Sequence, residues 1–252
     1  MRMSSRPATQ ARARGRGIWD SIRTLGYAVL IALVFRTFLF EPFNIPSGSM
    51  MPTLLIGDYL FVSKYAYGYS RHSFPLSFPP FEGRIFGSVP ARGDVAVFKL
   101  PSDGRTDYIK RIMGLPGDHL RMDQGTLIIN GEPVERIPDG IFVDPDLGNA
   151  EVPIFEEVLA DGREYQTLDM LTRGPLDTTP EFVVPEGHVF AMGDNRDNSQ
   201  DSRTRQVGFV PIENLVGRAE LIFFSKERTA RWWELWEWPT AIRWGRLFRP
   251  ID

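Results

Sequence analysis

The apolar positions of this chain fall into two regimes. Near the N-terminus they crowd into one run, Leu25 to Phe35, which Arg36 and Thr37 interrupt and Phe38, Leu39 and Phe40 extend. The run is about 17 residues, or roughly 25 Å of helix, at the short end of what crosses a bilayer. Arg2, Arg6, Arg12, Arg14, Arg16 and Arg23 precede it. Positive charge before a span holds the N-terminus in the cytoplasm and sends the following chain outside. A cleaved signal sequence is the competing reading. The residues that follow, Arg-Thr-Phe-Leu-Phe-Glu, are bulky and charged and offer no small-x-small cleavage site, so a retained anchor is expected. The Arg-rich stretch Met1 to Asp20 is expected to be disordered.

Beyond Ile56 the apolar residues occur in short β-rich runs bounded by Gly, Pro and Asn. Strands are expected at Asp58–Val62, Asp94–Leu100, Tyr108–Met113, Thr126–Ile129, His188–Met192 and Ala219–Phe224. Asn130-Gly131 after the fourth is a two-residue hairpin signal of type I′. Arg71 to Arg92, rich in Pro, Phe, Ser and Gly, reads as a long surface loop whose Phe74, Leu76, Phe78 and Phe81 face the bilayer or a substrate groove. Ile137 to Pro185 is acidic and irregular, and reads as an insertion. The tail from Arg228 to Asp252 sets Trp232, Trp233, Trp236, Trp238 and Trp244 among arginines, a composition suited to a membrane interface. The expected fold is mainly β, with 137–185 set as an insertion between 41–136 and 186–227. A cytoplasmic tail (1–21) and one transmembrane helix (22–40) precede it, and an interfacial tail (228–252) follows.

Composition narrows the chemistry. The 252 residues carry a net charge of −3 and no cysteine. A near-neutral balance leaves no nucleic-acid footprint. The missing thiols exclude cysteine catalysis, disulfides and cysteine-ligated metals. Lysine occurs only at Lys64, Lys99, Lys110 and Lys226.

Three stretches carry reactive groups. In Asn44-Ile45-Pro46-Ser47-Gly48-Ser49-Met50-Met51-Pro52, two prolines stiffen a run of small residues and Gly48 lets backbone approach closely. That setting presents a serine hydroxyl beside free N–H groups, as acyl transfer requires. In Tyr108-Ile109-Lys110-Arg111-Ile112, strand parity puts Lys110 on one face with Tyr108 and Ile112. Apolar neighbours depress a lysine's pKa, and a lysine can serve a serine nucleophile as base. The third stretch, Gly193 to Arg203, is dense in polar groups. A calcium loop fails there, because Arg196 stands third from Asp194 and no central glycine follows. A solvated turn and a buried network, with Asp201 pairing Arg203 and Ser199 orienting a base, both stay open. His72, His119 and His188 have no distinctive context, and no metal-ligand pair shares a helical face.

These stretches, with Gly93-Asp94 before a strand, Gly114-Leu115-Pro116-Gly117-Asp118 after Lys110, and Gly208-Phe209-Val210-Pro211, closely resemble in order and spacing the sequence boxes of bacterial type I signal peptidase (leader peptidase). The likeness runs from about Phe35 to Ser225. It implies a membrane serine endopeptidase, built on a mostly antiparallel β catalytic domain (41–136 and 186–227) with a smaller β-rich subdomain inserted at 137–185, that removes signal peptides from exported preproteins at the outer face of the cytoplasmic membrane. It casts Ser49 as nucleophile, Lys110 as general base, and Ser47 with the Ser49 N–H as the oxyanion hole. Ser199, Asp201 and Arg203 become supports of the dyad. Ile45 and Ile109 flank the pair. Phe43, Leu54 and Val97 join them in shallow substrate pockets, and Met50 and Tyr108 are further substrate-binding residues. No metal or cofactor is implied. The expected partners are preproteins and phospholipid membrane, with no nucleic acid, and the chain is expected to be a single-pass monomer. It departs from the best-known pattern in having one span instead of two and no cysteine pair. A self-cleaving repressor-type Ser/Lys protease and a silent membrane-anchored binding domain are the rival readings. The anchor and the absence of a DNA-binding module disfavour the first, and the presence of Ser49 and Lys110 disfavours the second.

Overall fold

The computed structural model describes residues 10–74, 77–78, 80–144, 149–171, 173–227 and 238–251. The chain opens with α1 (Gln10–Phe38). Helix thus reaches back into the Arg-rich stretch expected to be disordered, since Ala, Arg and Gln are strong helix formers. Trp19–Phe38 is apolar enough to cross a bilayer, with a mean hydropathy of 1.4, and its side chains are almost all exposed. A helix apolar on every side is shaped for lipid. It ends two residues before the expected boundary: Leu39 N makes the last helical bond to Phe35 O, and Phe40 belongs to the sheet.

The strands are β1 (Phe40–Asn44), β2 (Asp58–Ser63), β3 (Val95–Lys99), β4 (Asp107–Gly114), β5 (His119–Asp123), β6 (Thr126–Ile129), β7 (Glu132–Pro133), β8 (Glu135–Asp144), β9 (Ala150–Val158), β10 (Glu164–Leu168), β11 (Phe182–Val183), β12 (His188–Met192), β13 (Val210–Pro211) and β14 (Leu215–Ser225). A short α2 (Trp238–Ala241) and β15 (Arg249–Pro250) close the described chain. The fold is mostly antiparallel β. The main sheet runs β1-β2-β14-β3-β4-β12-β13, with β15 added beside β14; β11-β5-β6-β7 and β10-β9-β8 form two smaller sheets.

β3 explains where the core lies. It is apolar without alternation because both its faces are covered. Val95 and Val97 pack with Ile45, Met50 and Leu54, while Ala96 and Phe98 pack with Ile112 and Ala191 on the other side. The Asn130-Gly131 hairpin forms as expected, with φ of 54° and 87° and Ile129 opposite Glu132. A second two-residue turn, Gln124-Gly125 (φ 50° and 83°), joins β5 to β6.

Elsewhere the pattern misled. The acidic stretch read as irregular from Ile137 contains most of the sheet β8–β10, which starts at Glu135. On β9 Glu151 is exposed and Glu156 half-buried, while Val152, Ile154 and Glu157 are buried. The Arg71–Arg92 loop is pinned more firmly than its composition implies. Tyr69 bridges Ile85, and the Arg84 guanidinium donates to the carbonyls of Tyr67, Gly68, Ile212 and Leu215 at 2.6–2.9 Å. Of the tail, Trp232, Trp233 and Trp236 lie outside the described residues. Its last part returns to the main sheet: β15 pairs with β14, and Arg246 bonds the buried Asp58 carboxylate at 2.5 and 3.1 Å.

Candidate active site

Ser49 sits in a single 3-10 turn, Gly48–Met50, between β1 and β2. The turn is clamped at its base, where Ile45 N donates to Asp58 O (2.9 Å) and Gly57 N to Ile45 O (3.0 Å). Met50 and Leu54 are its hydrophobic roots. Both are fully buried in the core and do not line the cleft, so these two expected pocket residues act from beneath it. With Met50 directed inward, Ser49 is 8% exposed and its hydroxyl meets the side chain of β4.

That side chain is Lys110. Its Nζ lies 2.7 Å from Ser49 Oγ and 2.9 Å from the carbonyl of Ile109. β12 pairs with β4 only from Arg111 to Gly114, which leaves the edge at Asp107–Lys110 open to the turn. Lys110 is 4% exposed. It faces Ala96 across the ladder and shares its face with Tyr108 and Ile112, with Nζ 5.5 Å from the Tyr108 ring centre. Burial drives its pKa down from 10.5 to about 8; Asp201 and Asp194 resist that fall and Arg203 adds to it. Of the other lysines, Lys64 pairs with Glu41 and Lys99 with Asp107.

The Gly193–Arg203 stretch wraps this pair. Asn195 N donates to Ser49 O at 3.1 Å, and Asn195 Nδ2 to Gly48 O at 3.2 Å. Only glycine fits at 193, where a Cβ would collide with Ser199 Oγ and the Ser49 carbonyl. Asp201 accepts from Gly193 N (3.0 Å) and from both Nε and Nη2 of Arg203 (2.9 and 2.8 Å). Burial acts to raise the Asp201 pKa, but Arg203 and these donors outweigh it and hold the group ionised. Ser199 Oγ is buried and makes no hydrogen bond of ordinary geometry; it is close enough to Asp201 to help lower that carboxyl. Lys110 is therefore not bonded to Ser199 here. Ser47, by contrast, is exposed and its side chain caps nothing.

The dyad opens into a cleft of about 680 Å³. Phe43, Ile45, Val97, Tyr108 and Ile109 line it together with Ser47, Ser49 and Lys110. Sequence reasoning missed the polar residues Thr106, Asp107, Asn198 and Gln200, which line it too. It missed Arg111 as well. This wholly buried side chain forms a two-pronged pair with Asp194 (2.9 and 2.8 Å), and Thr53 Oγ1 donates to the same carboxylate at 2.6 Å. The signal was available: an arginine flanked on its own strand face by Ile109 and Met113 requires a carboxylate once buried.

The histidines bond elsewhere, His72 to Ser77, His119 to Glu181 and His188 to the Glu186 carbonyl. Among the described residues one carboxylate cluster, Asp169, Asp177 and Asp197, has metal-like spacing. Arg136 pairs with Asp169, and Asp197 accepts the N–H groups of Met170 and Leu171, so the cluster braces the 169–177 chain.

The chain around this pair has relatives among known proteins. The family model described as signal peptidase, peptidase S26, matches residues 18–224. The chain belongs to the signal peptidase I family. It is 39% identical to signal peptidase I of Rickettsia typhi over 246 residues, covering 89% of this chain and 90% of that one. It is also 39% identical to that of Rickettsia conorii over 254 residues, covering 92% of each. A solved signal peptidase I from Enterococcus faecalis V583 aligns with 51% of this chain and 95% of its own at 29% identity, with a TM-score of 0.31. The enzyme is thus a serine peptidase, and its reaction is the removal of signal peptides from preproteins.

Proposed function

We propose that the cut is made by Ser49 with neutral Lys110 as general base, at the outer face of the membrane in which α1 is anchored. The observation that carries this reading is the 2.7 Å contact between Lys110 Nζ and Ser49 Oγ, made by an amine whose pKa burial has brought to about 8. At that value about a tenth of the lysine is neutral at pH 7, against well under a thousandth for an unperturbed side chain. Ser49 Oγ attacks the scissile carbonyl and its proton passes to Nζ. The ammonium then returns the proton to the departing amine, leaving an ester on Ser49. Water, deprotonated by the same amine, hydrolyses that ester. The carbonyl oxygen, negative in each tetrahedral intermediate, meets the Ser49 N–H and the Ser47 hydroxyl. Asp201 and Arg203 fix the polar loop against the base, and Ser199 bounds the space in which Nζ moves. Arginines before the span support a cytoplasmic N-terminus and an external catalytic domain.

The test is incubation of the full-length enzyme in detergent with a preprotein, mapping the cut by mass spectrometry across pH. The wild-type kcat/KM should rise with pH through about 8. Ser49→Ala and Lys110→Arg should fold and bind membrane yet leave the substrate whole, because a guanidinium does not give up its proton. Activity above a few per cent in Lys110→Arg would remove the lysine from the mechanism.

A further inference from the structure

The loop bearing Ser199 and Asp201 is held from below by the inserted sheet. Leu168, the last residue of β10, lies parallel to Asn195: Leu168 N donates to Asp194 O and Arg196 N to Leu168 O, both at 2.9 Å. The sheet also contributes a charge. Glu157 on β9, opposite Tyr165 in the ladder, is 1% exposed, and the Arg196 it meets is 3% exposed. Arg196 Nη2 donates to Glu157 Oε2 at 2.5 Å, the Tyr165 hydroxyl donates to the same oxygen at 2.6 Å, and Thr167 Oγ1 donates to Oε1 at 3.3 Å. Arg196 Nε and Nη1 are buried without a hydrogen-bond partner. Glu157 is the carboxylate bonded to this guanidinium. Burial works against the cation, and Glu157, first among its neighbours, holds it charged.

The contacts continue to the base. The Arg196 carbonyl accepts Arg203 Nη2 at 2.7 Å; Arg203 grips Asp201; and Asp201 is the foremost charge acting on Lys110. We propose that Glu157 is a positioning residue for the Lys110 base: by neutralising Arg196 it fixes the carbonyl on which Arg203 rests, and with it the placement of Asp201. The role rests on the Ser49/Lys110 reading and gives the inserted sheet a part in catalysis.

The sign of its effect follows from the charges present. Asp201 and Asp194 face Lys110 and favour its ammonium, and Arg203 opposes it. Around Glu157 stand Arg196 and Tyr165, with Arg111 stacked over the Tyr165 ring at 4.3 Å. Glu157→Gln leaves a buried cation without its counter-charge and loosens the hold on Asp201. The uncompensated cation disfavours the ammonium at 110, so the amine stays neutral to lower pH. A base of lower pKa whose support has loosened is also the weaker catalyst. Glu157 lies outside the cleft, so KM is spared.

The experiment is kcat and KM against pH, with preprotein as substrate, for the full-length wild type, Glu157→Gln, Glu157→Asp and the double variant Glu157→Gln/Arg196→Gln. Glu157→Gln should lose roughly tenfold in kcat and shift the acid limb down by about half a pH unit. Glu157→Asp should fall between it and wild type. The double variant removes both charges and should return the midpoint to the wild-type value. A kcat that falls with the midpoint unmoved, or wild-type rates throughout, would overturn the proposal. If Glu157→Gln does not fold, the other two variants decide: a displaced midpoint in the double variant also overturns it. Activity in Lys110→Arg would instead indict the base assignment and leave the Glu157 result readable on its own.

Discussion

Lys110 is suited to the proposed role of base because it is dry. Its burial makes the charged form expensive, and that expense is a property of the folded state measurable without substrate. The folded pKa, about 8, lies below the unfolded 10.5, so the fold carries a penalty of about 3 kcal/mol at neutral pH. The penalty is constant below about 8, shrinks as pH rises toward 10.5 and vanishes above it. Lys110→Met should therefore be the more stable protein at pH 7, by up to about 3 kcal/mol, with the gap closing at high pH; urea unfolding of both proteins at pH 7, 9 and 10.5 measures it. A gap independent of pH would mean that the amine is solvated. Gly193 is the second residue of this kind. Gly193→Ala drives a methyl into the Ser49 carbonyl and Ser199, and should cost about 1–3 kcal/mol in stability and most of kcat, read from unfolding and turnover together. Ser199→Ala removes a hydroxyl that bonds nothing in the resting site. It should leave stability nearly unchanged while slowing turnover, if that hydroxyl engages Nζ only once Ser49 has given up its proton.

Among the elements, the 3-10 turn and β4 divide the work. The turn holds Ser49 through Met50 and Leu54 in the core, while the open edge of β4 delivers Lys110. Between them Ile45, Val97 and Ile109 make a shallow apolar wall. Such a wall accepts alanine-sized side chains and rejects large ones by overlap. Small residues are expected at the first and third positions before the cut, and a substrate scan showing efficient cleavage after Phe or Lys would exclude this. The pinned loop after β2 has a different task. Phe78 and Phe86 are 71% and 88% exposed, and Tyr69, which bridges Ile85, packs on Phe38 at the end of the span. Aromatic side chains there belong at the bilayer surface. The chain has no cysteine, so a single Phe86→Cys labelled with an environment-sensitive dye reports cleanly. In proteoliposomes its emission should shift blue and be quenched by brominated lipid, as an Ile31→Cys control in the span should be and a Gly162→Cys control on the far hairpin should not. Emission typical of water at position 86 would detach this loop from the membrane.

Across the whole molecule, the local chemistry was legible from the residues alone. An apolar run behind arginines, a serine at a proline-bracketed turn, a lysine between apolar neighbours on a strand and an Asn-Gly hairpin all depend on residues a few places apart, where sterics and periodicity act directly. β character was readable for the same reason, whereas the antiparallel sheet came from the family resemblance. Partner choice was not. Lys110 meets Ser49 across 61 positions, Arg111 meets Asp194 across 83, and Glu157 meets Arg196 across 39. The parity of β4 correctly separated Lys110 from Arg111, but no local pattern says which carboxylate will neutralise a buried arginine. The family resemblance cast Met50 and Leu54 as substrate-binding residues, yet the turn points them into the core. The acidic stretch looked irregular because its outward face was all that composition recorded; pairing of β8, β9 and β10 fixed which of its acids turned inward, and Glu157 was among them. Burial, and the charges that must accompany it, is set by how distant strands come together, and that is a property of topology.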